Sequence, residues 1–330
     1  MNYRWLGSVL GVGLLRLAVS FFVSILITFV LVRLLPFSPI SAADFGGALT
    51  SSAAVQARIQ YYYSLLPSGP LYDQFFNFLS NVLHGQFGHS IQTQQPVISI
   101  LEQSLPWTLL LVVTSTLLSF AIGTFLGILL AYRRGSKIDT AGATISTVAY
   151  SLPVYVVGIA LLIAFAFSNH YFPSAGAYAI GVPVGLNPAF IGSVIDHAFL
   201  PITALTLVSF GSWTLSMRAN ALSVMGQDYV WAAEARGIPG YRVALRYVGR
   251  NAILPQFTYL VIALGFSFAG SVFVEEIFTY PGMGYQLITA IDYNDFPVIM
   301  GVFVTYVLSI LVALLAADLT YGAIDPRARQ

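Results

Sequence analysis

Long apolar runs fenced by isolated charges set the pattern of this chain. Uncharged stretches cover 17–32, 103–132, 140–195, 197–217, 251–274 and 296–317. A helix needs about 20 mostly apolar residues to cross a hydrocarbon core of about 30 Å, so each stretch is a candidate span. The first is short, but Arg16 and Arg33 at its ends can carry their head groups to opposite interfaces. The stretch 140–195 is long enough for two helices. Its first part, through Phe167, reads as one span. Its second part contains Pro173, Gly176, Gly181, Pro183, Gly185, Asn187, Pro188 and Gly192. These are turn-forming residues, and exposed irregular backbone cannot sit in lipid. The segment 169–197 therefore reads as an external loop. The pattern predicts six transmembrane helices: one within 1–35, then about 105–132, 140–168, 198–218, 252–275 and 297–320.

Charge placement tests that count independently. With six helices and a cytoplasmic N-terminus, Arg4, Arg16, Arg133, Arg134, Lys137, Arg218, Arg236, Arg242, Arg246, Arg250, Arg327 and Arg329 fall inside, 12 of the 14 basic residues. Only Arg33 and Arg58 fall outside. A seventh helix within 140–195 would move the five arginines from 218 to 250 outside, against the positive-inside rule. Asp44, Asp73, Glu102, Asp196, Asp292 and Asp295, with all four histidines, fall on the external side. Both termini are expected in the cytoplasm. Pro36, Pro39 and Ser41-Ala42-Ala43 resemble a signal-peptide cleavage region, but Arg33 interrupts the approach, so the first run is read as an uncleaved helix.

Composition narrows the class. Apolar residues make up 57% of the 330 and charged residues 8%, against about 25% charge in a soluble domain. An ordinary soluble enzyme and a disordered chain are excluded. A net charge of +1 supplies no basic stripe for nucleic acid. The cysteine count of zero removes disulfides, thiolate metal sites and cysteine nucleophiles together. The fold class is an all-α integral membrane protein with an external subdomain after helix one, over 36–101. There, Tyr72–Leu83 shows a helical period and is expected along the outer membrane surface or on the rim of the helices.

The one sizeable cytoplasmic segment, 219–252, carries the most information. Asp228 to Arg236 reads as a short helix with an acid at its start and a cation at its end, stopped by Gly237, Pro239 and Gly240. A second helix follows, with Arg242, Arg246 and Arg250 on one face. That stripe fits a phosphate-facing interfacial helix as well as a protein contact. The pair Ala232–Ala233 would let another backbone approach closely, although on the residues alone simple helix propensity is the better explanation.

Other features are weighed as they stand. Gly123 and Gly127 fit a GxxxG packing pattern, in a class of helix where glycine is common. Serines and threonines in the spans read as groups that bond back to their own helix. His84 and His89 lack a third ligand at metal spacing. Asp318 near the end of helix six reads as snorkelling or pairing with a neighbouring helix. An intramembrane hydrolase would need a serine dyad, an Asp pair or HExxH; Ser212 after Gly211 is the nearest candidate and has no histidine near it. A channel or ion-coupled carrier would want ionisable residues along the spans, which the uncharged gaps do not offer. No phosphate-cradling GxxxxGK[ST] loop occurs.

The segment DYVWAAEARG at 228–237, followed by RNAILP at 250–255, resembles the cytoplasmic loop of ABC importer permeases. The family's EAA---G pattern falls on Trp231, Ala232, Ala233 and Gly237, with Trp in place of the leading Glu. Further pieces resemble the peptide/oligopeptide (peptide/nickel) permease family in order: Arg33-Leu-Leu-Pro36, with Phe37-Ser38 where Gly-Asp is usual; Phe87-Gly-His-Ser90 with Pro96-Val97; Arg133-Arg-Gly-Ser136 leading to Asp139; Ser151-Leu-Pro153; Glu275 to Gly284; and Asp325-Pro-Arg327. The resemblance implies a permease core over 102–330 that forms half of a translocation path. It also implies pairing with a second homologous permease subunit, two ABC ATPase subunits and an external solute-binding protein. ATP and Mg would reside on the ATPases, with no cofactor in this chain. Asp228, Trp231, Ala232, Ala233, Glu234 and Gly237 become the ATPase-coupling candidates. Glu275, Pro281, Gly282 and Gly284 become candidates for an external gate or binding-protein dock, where a tight turn leaving helix five is the alternative. The substrate stays open among peptides, oligosaccharides and nickel complexes.

Overall fold

A computed structural model describes residues 3–34 and 69–324, with side chains described over 15–32 and 69–318. Half of the expected external segment 36–101, residues 36–68, and the Asp325-Pro326-Arg327 signature lie outside the described residues. The order is α1 (Tyr3–Leu34), α2 (Leu71–Leu83), α3 (Val97–Tyr132), α4 (Lys137–Ser151), α5 (Val154–Phe167), α6 (Pro188–Met225), α7 (Asp228–Ala235), α8 (Gly240–Ala252), α9 (Leu254–Gly270), α10 (Val272–Ile277), α11 (Met283–Asp292) and α12 (Phe296–Ile324). Among the described residues, α1, α3, α6 and α12 are each long and apolar enough to cross a membrane. The pairs α4–α5 and α8–α9 qualify together, so the total is up to six if each bent pair is one span.

Three expectations are corrected in detail. The span 140–168 is not one rod: α4 and α5 meet at 94°. Leu152 is extended (ψ 133°) ahead of Pro153. A ring at Pro153 disfavours helix at the residue before it, and proline has no N–H to continue the ladder. The loop 169–197 ends ten residues early, because α6 begins at Pro188 rather than 198. The Asn187 side chain accepts from Phe190 N–H at 2.8 Å and Pro188 stands at the first helical position, where its missing donor costs nothing. The span 252–275 is interrupted at Ser271, between α9 and α10.

The chain divides into two compact units. In the first, residues 1–106 with 282–311, α2 lies on α1: the buried Phe75 ring meets Phe22 and Phe29 edge-on at 5.6 and 5.5 Å. Buried Asp295 accepts from Ser90 Oγ–H, from Ile91 N–H at 3.1 Å and from Gln92 N–H at 3.2 Å, anchoring the loop before α3.

In the second unit, residues 107–281 with 312–330, α6 packs on α3, α4 and α5. Gly123 and Gly127 of α3 face Trp213 and Met217 of α6 so closely that a Cβ at either would clash, and Gly211 of α6 sits against the Ser146 carbonyl of α4. The GxxxG pattern is thus a packing face. Towards one end of α6, Leu111, Leu162, Ala177, Leu200, Phe278 and Tyr280 form a buried cluster that the loop 169–187 helps to close. Hydroxyls in the helices bond back to their own turns as expected: Ser119 to Ser115 O, Thr214 to Phe210 O, Ser267 to Ala263 O. Large apolar side chains face outward, such as Val19, Phe125, Ile145 and Phe167, as a bilayer solvent allows.

Candidate coupling site

The segment that joins α6 to α9 is built as a short helix held by one face. Asp228 in the first turn of α7 complements the positive end of the helix dipole. The other end closes on Gly237, whose φ of +72° is left-handed. Gly237 N–H donates to Glu234 O at 2.8 Å and Ile238 N–H to Ala233 O at 3.3 Å, the paired bonds of a helix stop that a glycine makes without strain. No atom lies within 4 Å of a Cβ built there, so backbone conformation and not packing requires the glycine.

Burial splits the candidate residues. Val230 and Ala233 point into a core of Met217, Ala221, Val243 and Val248, with Ala233 only 3% exposed. Asp228, Trp231, Ala232 and Glu234 are exposed, Trp231 at 68%. Of the small pair, Ala232 is on the outside and Ala233 on the inside. The helix is thus anchored to the chain through one side and presents Asp228, Trp231, Ala232 and Glu234 on the other. Asn251 of α8 donates to Tyr229 Oη at 2.9 Å, adding a polar strut to the apolar anchor. Arg242, Arg246 and Arg250 are all exposed, but Val243–Gly249 between them is wound as a π-helix, so the spacing expected to put them on one face does not apply.

Two features, one near this end and one farther along the helices, were not picked out from sequence. Asp139 accepts from Arg218 Nε at 2.6 Å and Nη2 at 2.8 Å, a forked pair joining the start of α4 to α6. Gly135 N–H donates to the same carboxylate at 3.0 Å. These two residues bound uncharged stretches at what would be one membrane interface, which is the signal that could have paired them. Farther along the helices, Thr116, Ser209, Ser212, Tyr259 and Ser267 line a cavity of about 200 Å³ whose wall is mostly polar. Thr116 Oγ1 donates to Ser267 Oγ at 3.2 Å there. Serine and threonine abound in the spans; Ser212 stood out only as a hydrolase candidate, and nothing in the sequence joined it to the others.

The external candidates are placed differently. Glu275 is fully buried in α10 and accepts from Ser271 Oγ at 2.8 Å. Two residues past the end of α10, Thr279 stands at φ +46°, with Tyr280 N–H donating to Glu275 O at 2.7 Å. Pro281 is half-buried; Gly282 and Gly284, at the start of α11, are buried. This stretch is a tight, covered turn. Among the described residues, no group of three metal-ligating side chains occurs.

Residues 123–330 match the family described as binding-protein-dependent transport system inner membrane component. The chain belongs to this family. It is also 35% identical over 326 residues to a probable peptide ABC transporter permease protein of Sinorhizobium fredii, covering 97% of this chain and 100% of that one. It is 32% identical over 315 residues to a probable D,D-dipeptide transport system permease protein of Escherichia coli, covering 91% of each. The oligopeptide transport system permease protein AppB of Bacillus subtilis is 35% identical over 260 residues, 78% of this chain and 80% of that one. The protein is therefore a multi-pass inner-membrane permease, a transport subunit. In this permease the matched region contains all of α7, its anchoring core and the Asp139–Arg218 pair. Binding-protein-dependent systems of this kind work with ATPase and solute-binding components in general.

Proposed function

We propose that the permease forms half of the translocation path of an ATP-driven peptide importer, with α7 as its contact to an ABC ATPase subunit. The observation that carries this is the split burial of α7. One side is fixed in the permease core through Val230 and Ala233, and the other presents Asp228, Trp231, Ala232 and Glu234. A helix so anchored moves only with the spans behind it. Closure of two ATPases around ATP and Mg would then shift α6, α8 and α9 as packed bodies and alternate the access of the path. The expected sidedness, with both termini and 219–252 in the cytoplasm, puts α7 where such a partner binds. A second homologous permease would supply the other half of the path, and an external binding protein would deliver substrate.

Peptide is the substrate class because the three relatives above are named for peptide, D,D-dipeptide and oligopeptide transport. The hydroxyl-lined cavity at Thr116, Ser209, Ser212 and Ser267 supports it: uncharged donors and acceptors suit peptide amides without trapping an ion. The test is reconstitution of the permease with its ATPase and binding-protein partners in vesicles. Labelled dipeptide or oligopeptide should accumulate with ATP and stimulate hydrolysis. Accumulation of an oligosaccharide or nickel complex instead, with peptide inert, would overturn the substrate assignment.

A further inference from the structure

Beside the coupling helix lies a basic pocket that the transport reading does not use. Tyr229 of α7, Arg246, Tyr247, Arg250 and Asn251 of α8, and Leu254 of α9 line an open pocket of about 660 Å³. Arg246 and Arg250 are exposed, and neither has an ion-pair or hydrogen-bond partner among the described residues. The chain has placed two guanidinium forks around one space and left them unneutralised. Arg242, on the same helix, is not part of the wall; its Nε donates to the Tyr241 hydroxyl at 3.0 Å and its guanidinium lies over the Tyr241 ring.

The polar groups are arranged for an anion. Asn251 Nδ2 donates both to Tyr247 O at 3.0 Å and to Tyr229 Oη at 2.9 Å. Because the Tyr229 oxygen accepts there, its own O–H is left to donate into the pocket. The wall therefore offers two forks and a hydroxyl, the donors that match the free oxygens of a phosphate diester. Its level in the molecule names the source. Leu254 is the first residue of α9, the apolar half of a candidate span, and it is exposed together with Phe257 one turn on. A charged head in the pocket would continue directly into an apolar surface, as an acyl chain needs. Tyr229 and Tyr241, also exposed, supply the amphipathic rings that collect at such an interface.

We propose that Arg246, Arg250 and Tyr229 hold the phosphate of an anionic lipid headgroup, taken from the leaflet at which α9 enters the bilayer. Through Tyr229 the bound headgroup braces α7 against α8. The test uses the permease purified in its complex and native mass spectrometry with added phosphatidylglycerol, phosphatidylcholine or inorganic phosphate. Phosphatidylglycerol should be retained in preference to phosphatidylcholine. The Arg246→Gln/Arg250→Gln variant should lose about thirty-fold in apparent affinity, about 2 kcal/mol for two interfacial arginines. Arg242→Gln should not change retention, and Tyr229→Phe should weaken it by a few-fold. Equal retention by wild type and the double variant would overturn the proposal, as would equal binding of the two lipids. Binding of inorganic phosphate without lipid preference would reassign the source to a soluble anion. Loss of the ATPase subunits from the double variant with lipid retention intact would make the pocket a protein contact instead.

Discussion

Replacing Gly127 by alanine should push α3 and α6 apart. The new Cβ would stand 2.6 Å from Met217 Cβ, 2.7 Å from Thr214 O and 2.9 Å from Arg218 N, where ordinary contact begins at 3.4 Å. Two of those three atoms are backbone and cannot rotate away, so the helices must separate by about 0.8 Å or distort. Overpacking of this kind costs about 1–3 kcal/mol, while alanine's better helix propensity returns about 1 kcal/mol. The net loss should be about 1 kcal/mol. Gly123 faces Trp213 Cβ, Phe210 O and Thr214 N across the same contact, more tightly, so Gly123→Ala should cost more. The double variant should lose less than the sum of the two, because one separation relieves both points. Trp213 is the natural reporter, with its ring edge-on to Phe120 at 5.3 Å and tilted against Tyr259 at 4.9 Å. In a background with Trp5, Trp107 and Trp231 changed to Phe, its fluorescence would follow unfolding by SDS in mixed micelles. Variants that are unchanged, or more stable by the propensity gain alone, would show that the two helices do not meet at this glycine face.

Four further outcomes are expected. Asp139→Ala should destabilise by about 2 kcal/mol: Asp139 is buried, but Arg218 keeps 28% exposure and can recover water, placing the pair between surface and fully buried cases. An unchanged SDS midpoint would contradict the pair's importance. Gly237→Ala should cost about 1 kcal/mol through its left-handed backbone, whereas Gly237→Asn should cost much less, read from the same midpoints; equal losses would mean that size, not conformation, matters there. Thr279→Gly should stabilise by about 1 kcal/mol, since a β-branched residue holds φ +46°, and a loss would show that the Thr279 side chain contributes more than its backbone costs. Asp295→Ala should leave three donors of Ser90, Ile91 and Gln92 unanswered and speed limited proteolysis of 90–95, with an unchanged cleavage rate counting against the anchor.

Much of the architecture was legible because a bilayer forces a simple code: charges must lie at span ends. The gap between Arg16 and Arg33 matches the apolar stretch Leu15–Val32 inside the longer α1, and the gap between Asp295 and Asp318 matches Phe296–Asp318 of α12. The code fails where tertiary packing covers a break. The 94° turn at Pro153 sits inside an uncharged stretch, so charge spacing could not register it, although the proline itself was the local signal. Gly192 counted as turn chemistry, yet it lies in α6 with open space around it, because the Asn187 cap and Pro188 outweigh one glycine. At the candidate site, the acid–helix–glycine grammar of 228–237 was readable. Which alanine faces outward was not, since an eight-residue helix with apolar positions on several sides has no clear period.

The central claim is that the exposed side of α7 touches an ATPase. The chain contains no cysteine, so a single cysteine introduced as Ala232→Cys is a unique probe. In membranes containing the assembled transporter, a short thiol-to-amine cross-linker should join it to a surface amine of an ABC ATPase subunit and stop ATP-driven uptake. The same cysteine crossing to no ATPase subunit, in a transporter that still hydrolyses ATP and takes up its substrate, would contradict the account.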